Sequence, residues 1–159
     1  MDSFRSHILY IDSHKDTQEL VTLVLAEASH RVTTTSSGED ALRLAREHRF
    51  DLYILDSWLA DGSGIELCQR LREFDRVTPI LFFSGAAYES DRQAALGNGA
   101  QCYLVKPAHV QELRDQVNTL IDAFRIKSDE WLRISRSHAS LQGDAEERTI
   151  KLTMQVQQV

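Results

Sequence analysis

Residues 52–64 read LYILDSWLADGSG: four apolar positions end at Asp56, and the chain then passes Trp58 into small, turn-forming residues. An apolar run of that length, bounded by turn signals, reads as a buried strand. A carboxylate at the mouth of a buried strand is costly to desolvate unless something pairs with it. The partners must therefore come from the ends of similar runs elsewhere in the chain.

Four further runs qualify as strands: HILYI (7–11), RVTTT (31–35), PILFF (79–83) and CYLV (102–105). Segments with helical spacing separate them, including one with Leu20, Leu23, Val24 and Ala28 and another with Ile65, Leu67, Cys68 and Leu71. The first, third, fourth and fifth runs are apolar on both faces, as central parallel strands covered by helices are, whereas RVTTT alternates and suits an edge. Helix starts carry their own chemistry. Ser63 with Glu66, and Asp16 with Glu19, have capping-box spacing; Ser37 precedes GEDALRLA as a third cap; Pro107 suits the first turn of the last helix. The alternation predicts an α/β fold, a doubly wound five-stranded parallel sheet with five helices and right-handed crossovers.

In such sheets the ligand crevice lies at the carboxyl ends of the strands, where strand order reverses. Those ends carry Asp12 and Ser13, Asp56, Ser84 and Lys106. Two carboxylates with a backbone carbonyl suit Mg²⁺, which takes few protein ligands and keeps its waters. With the cation cancelling anion repulsion, Asp56 can act as nucleophile toward a phosphoryl donor while Lys106 and Ser84 bind the transferred group.

Over roughly residues 5 to 125 the chain resembles the receiver domain of bacterial two-component response regulators, in the order and spacing of ILYIDS, DLYILDSWLADGSG, PILFFSG and YLVKPA. The resemblance implies a (βα)5 flavodoxin-like fold and a phosphoacceptor in a histidine-to-aspartate relay, in which Asp56 takes phosphate from a sensor histidine kinase or phosphotransfer protein. It implies that Asp12, Asp56 and the Trp58 carbonyl hold Mg²⁺, that Ser84 and Lys106 bind the phosphoryl group, and that the Lys106-Pro107 peptide is cis. Tyr103 falls at the family's switch aromatic, whose ring moves inward when phosphorylation draws Ser84 toward the acceptor. Self-phosphorylation and self-dephosphorylation are expected, but not turnover of a separate substrate.

The sequence departs from that pattern at three places. Ser13 stands where the family has a second acid that touches the metal, so the pocket loses one negative charge and Mg²⁺ affinity should weaken. Trp58 puts a large indole at the pocket rim, where it either governs water access or packs on a partner or on its own loop. Ala60 replaces a common proline and loosens the loop. His14, alone in a loop beside Ser13, reads as solvated rather than as a ligand.

The totals bound the rest. The 159 residues are 42% hydrophobic and 26% charged, with a formal net charge of -6. Without a basic block, nucleic acid and anionic membranes are poor candidate partners. Cys68 and Cys102 read as buried thiols in a reducing cytosol, and no run approaches signal-peptide or membrane-spanning length, so a soluble, cytoplasmic protein is expected.

Receiver boundaries are expected at 1–125, with a tail over 126–159. Leu113, Val117, Leu120, Phe124, Lys127, Trp131, Ile134, His138 and Leu141 recur at steps of four and three, a heptad seam flawed at Lys127 and His138. The last helix is therefore expected to extend past the receiver and to pair with a second copy or a kinase, or else to be solvated. Beyond Gly143, TIKLTMQV alternates like an edge strand and reads as strand-like or as disordered until bound. About thirty-five residues are too few for a DNA-binding or enzymatic output domain, so output is expected to pass through contacts with a downstream protein, from a single-domain regulator. The rival reading is a degenerate, phosphorylation-independent interaction or dimerisation module. A hydrolase or nucleotide binder lacks its glycine-rich loop or GxSxG turn.

Overall fold

The computed structural model describes residues 4–156, with side chains described as far as residue 140. Five parallel strands form one sheet: β1 (Ser6–Ile11), β2 (His30–Thr35), β3 (Leu52–Leu55), β6 (Ile80–Ser84) and β7 (Cys102–Val105). The short strands β4 (Trp58–Leu59) and β5 (Gly62–Ser63) pair antiparallel as a separate ribbon. Helices α1 (Lys15–Glu27), α2 (Gly38–Glu47), α3 (Gly64–Phe74), α4 (Glu89–Gly97) and α5 (Val110–Val156) follow the strands in alternation.

Strand order is β2-β1-β3-β6-β7, so the chain reverses direction across the sheet between β1 and β3. Ile11 pairs with Leu55, which brings the ends of those two strands side by side. RVTTT lies at an edge, as its alternation suggests. CYLV, apolar on both faces, is not central but forms the other edge, with Val105 exposed. An open sheet has two edges whatever the composition of its strands, and the last strand takes the second one here.

Both sheet faces are covered. Leu9, Ile11, Tyr53, Leu55 and Phe82 face α2 and α3 residues such as Leu42, Leu67 and Leu71, while Ile8, Tyr10, Ile54 and Leu81 pack with Val24, Leu25, Leu113, Val117 and Ile121. The sequence places α1 correctly but misjudges its buried face. Val21, Val24 and Leu25 are buried, whereas Leu20 and Leu23 are exposed. Cys68 and Cys102 are free; Cys68 is buried and Cys102 only half-buried.

Caps follow local chemistry. Ser37 Oγ accepts from the Asp40 amide and Ser63 Oγ from the Glu66 amide, as expected. The box expected at Asp16 does not form, because α1 already begins at Lys15 with extended His14 as its cap and Asp16 inside the first turn. Pro107 lies before α5 rather than in its first turn, at a cis Lys106-Pro107 peptide bond. At Gly99, φ is +106°, and the guanidinium of Arg72 donates to its carbonyl as well as to those of Asp75 and Thr78.

The chain divides into two compact units, Met1–Phe124 and Arg125–Val159. The helix α5 continues to Val156, so residues 149–156 are helical and not strand-like. Extending an existing helix needs no new nucleus, so continuing α5 costs less than starting a separate element. Leu141, the last position of the expected seam, lies beyond the described side chains. No helix among the described residues is long and apolar enough to cross a membrane.

Candidate functional site

Four of the five carboxyl strand ends each contribute one polar group to the crevice. Asp12 follows β1 and is fully buried, with its amide bonded to the Thr35 carbonyl. Asp56 follows β3, its amide donating to Ile11 across the switch point, and is almost fully buried. Ser84 ends β6, is fully buried, and accepts from the Ala86 amide at 3.1 Å. Lys106 follows β7, and its amide donates to the Ser84 carbonyl at 2.8 Å.

The Lys106 ammonium bridges the two acids, at 2.5 Å from Asp12 Oδ2 and 3.4 Å from Asp56 Oδ2. Asp56 Oδ1 accepts from the Ser57 amide at 2.7 Å. This answers the question raised by LYILD, since the buried carboxylate has both an ion pair and a backbone donor. Burial pushes the Asp12 carboxyl up, but hydrogen bonds from Lys106, Tyr10 and the His14 amide outweigh it and hold Asp12 below the ordinary aspartate value.

Of the groups around Asp12, Tyr10 escapes the sequence reading, and His14 reads there as solvated rather than as a ligand. Tyr10, fully buried, donates its hydroxyl to Asp12 Oδ2 at 2.5 Å, and burial followed by that bond pushes the phenol well up. The signal was present, because residues two apart in a strand share a face. His14 Nδ1 lies 3.3 Å from Asp12 Oδ1 although its side chain is 72% exposed. Among the described residues, Asp12, His14 and Asp56 form the one group of His, Cys, Asp or Glu side chains able to converge on a metal ion, with donor atoms within 4.8 Å of one another. Two carboxylates beside one ammonium leave the cluster net negative, and their hard oxygens fit Mg²⁺.

Trp58 opens the β4-β5 ribbon opposite Ser63, and its indole is 70% exposed. Tyr103 is half-buried, stacked on Phe82 with ring centroids 5.8 Å apart. Its hydroxyl donates to the Ala86 carbonyl at 2.7 Å and lies 3.4 Å from Ser57 Oγ, linking the loop after β6 to the residue after Asp56. Gly64 completes the floor: an added Cβ there would meet the Asp56 carbonyl oxygen at 2.1 Å.

The sequence and the fold have many counterparts. The family profile described as response regulator receiver domain matches residues 8–118. Response regulator ArlR of Staphylococcus aureus is 30% identical over 116 residues, covering 73% of this chain and 52% of ArlR. The chain thus spans about half the length of the curated relatives it matches. Among solved structures, a two-component response regulator from Clostridium difficile is 26% identical with a TM-score of 0.71, covering 74% of this chain and 97% of its own. Chemotaxis response regulator CheY4 of Vibrio cholerae is also 26% identical, with a TM-score of 0.69 and coverage of 74% and 99%.

Proposed function

Because the chain belongs to the response regulator receiver family, we propose that it is a phosphoacceptor whose Asp56 takes a phosphoryl group from the phosphohistidine of a sensor kinase or phosphotransfer protein. One observation carries this reading: the Lys106 ammonium touches both acids at the switch point, so a fixed positive charge stands beside the group that must attack an anion.

An Asp56 carboxylate oxygen attacks phosphorus in line with the scissile P–N bond. The bond pair leaves with the imidazole nitrogen, and an acyl phosphate remains on Asp56. Lys106 then shifts its ion pair toward the new phosphoryl oxygens, and Ser84 exchanges its bond with the Ala86 amide for one donated to the phosphoryl group. Asp12, Asp56 and the Trp58 carbonyl would hold Mg²⁺, which when bound would supply the positive charge that offsets repulsion between the two anions. With serine rather than an acid at position 13, the pocket carries one negative charge fewer and would hold that cation more weakly. Later, water attacks phosphorus, the P–O bond to Asp56 breaks, and inorganic phosphate leaves. The chain turns over no other substrate.

The Tyr103 tether to Ala86 and Ser57 supports a switch in which phosphorylation favours the turned-in ring described above. The signal passes to a downstream protein target in the cytoplasm. A second copy joins through α5, where Trp131 and Ile134 are 67% and 51% exposed at heptad spacing from Phe124.

Incubation with acetyl phosphate and Mg²⁺ followed by intact-mass measurement tests the first step. One phosphoryl adduct on the wild type and none on Asp56→Asn is expected. No adduct at any Mg²⁺ concentration favours the phosphorylation-independent interaction module instead.

A further inference from the structure

Among the described residues, His14 is the histidine that groups with Asp12 and Asp56, and its surroundings are specific. Its amide donates to Asp12 Oδ1 at 2.7 Å and its carbonyl accepts from the Gln18 amide at 3.0 Å, so both ends of the residue are pinned where α1 begins. The ring nitrogen Nδ1 faces that same Asp12 Oδ1 at 3.3 Å, with Ser13 Oγ also 3.3 Å away. Lys106 occupies the opposite oxygen, Oδ2, and leaves the Oδ1 side to other positive charge. The two histidines on the strands are committed elsewhere, His7 to Thr33 and His30 to Ser6 and Asn118.

We infer that His14 Nδ1 joins the Asp12 and Asp56 carboxylates as a nitrogen ligand, making a mixed site that prefers borderline divalent ions such as Co²⁺, Ni²⁺ or Zn²⁺ over Mg²⁺. The inference rests on the reading of this crevice as the cation site of a phosphoacceptor. The chemistry follows from ligand softness. Imidazole adds much to the binding of the later first-row ions and little to that of Mg²⁺, which prefers oxygen and holds its water. Neighbouring ligand atoms on one ion with bonds of about 2.1 Å stand about 3 Å apart, close to the present Nδ1 to Oδ1 separation. A hydroxyl at position 13 adds no charge to compete for the ion, so the preference falls to the imidazole next to it.

The test is Co²⁺ binding to the full chain, read by proton NMR and by tryptophan quenching, in the wild type and in His14→Ala. A far-shifted imidazole resonance is expected in the Co²⁺-loaded wild type and not in the variant. The variant should bind Co²⁺ about tenfold more weakly while its Mg²⁺ affinity changes less than about twofold. Urea unfolding without metal checks that both proteins are equally folded. Absence of the shifted resonance overturns the inference, as does an equal loss for the two metals or no Co²⁺ binding at all. The wild-type adduct from acetyl phosphate and Mg²⁺ is scored separately. If that adduct forms while the Co²⁺ signature is missing, the phosphoacceptor reading stands and the ligand role of His14 falls.

Discussion

Asp12 accepts from a phenol, an ammonium and a backbone amide at once, and its neighbour Asp56 shares that ammonium. Replacing Tyr10 with Phe removes one donor to a buried carboxylate without opening a cavity, which should cost about 1.5–3 kcal/mol at neutral pH. The cost depends on pH with a definite sign. A carboxyl held below its unfolded value of 3.8 contributes stability that is fully present above that value and is lost as pH falls through the lower folded one. Urea midpoints of wild type and Tyr10→Phe should therefore differ most near neutrality and converge as pH falls through the lowered folded value of Asp12. A gap that stays constant with pH would show that the phenol acts by packing alone. Asp56→Asn should move stability the other way. Two carboxylates share one ammonium, and removing the second relieves like-charge repulsion worth about 1 kcal/mol in metal-free buffer. Adding Mg²⁺ should narrow that difference, because a cation that binds the native wild type stabilises it alone.

Elements place these residues through backbone approach as much as through side chains. The start of α3 lies so close to the Asp56 carbonyl that a Cβ at Gly64 would also come within 3.0 Å of the Phe82 ring. Gly64→Ala should cost about 3 kcal/mol by overpacking and displace the acceptor loop. By contrast, Gly97→Ala at the end of α4 meets open space and should stabilise by about 0.5–1 kcal/mol. Urea denaturation of the pair checks the contrast. The five strands were legible because short apolar runs between turn residues have few other folded outcomes, and the strand-end rule then led to Asp12, Asp56, Ser84 and Lys106. What escaped notice depends on packing. Leu20 and Leu23 fit a helical period as well as Val21 and Leu25 do, and only the sheet beneath α1 selects between the two faces. The ribbon β4-β5 has two residues per strand, too few for any period to register. Tyr10 falls in a run that reads as a buried strand, and its hydroxyl reaches past the apolar layer to Asp12.

For the whole molecule, the surface that offers itself to a partner is on α5. Its first turns are anchored to the sheet by Leu113, Val117 and Ile121, and Arg5 donates to both Asn118 and Asp122. Beyond Phe124 the helix leaves Ile126, Trp131, Leu132 and Ile134 exposed. Most helical stability in water comes from burying an apolar face, so an extension of this length gains little as a single copy and more as half of a pair. Burying an isoleucine is worth about 1.5–3 kcal/mol, and a symmetric pair buries two. Sedimentation of the full chain should therefore show a dimer that Ile134→Asp shifts to monomer, with helix content beyond the receiver falling by circular dichroism. Because residue 134 lies in the unit from Arg125 onward, the Asp56 adduct from acetyl phosphate should form on the variant as on the wild type. A wild type that sediments as a monomer at high concentration removes the second copy as the occupant of that face, and leaves a heterologous partner helix to stabilise it.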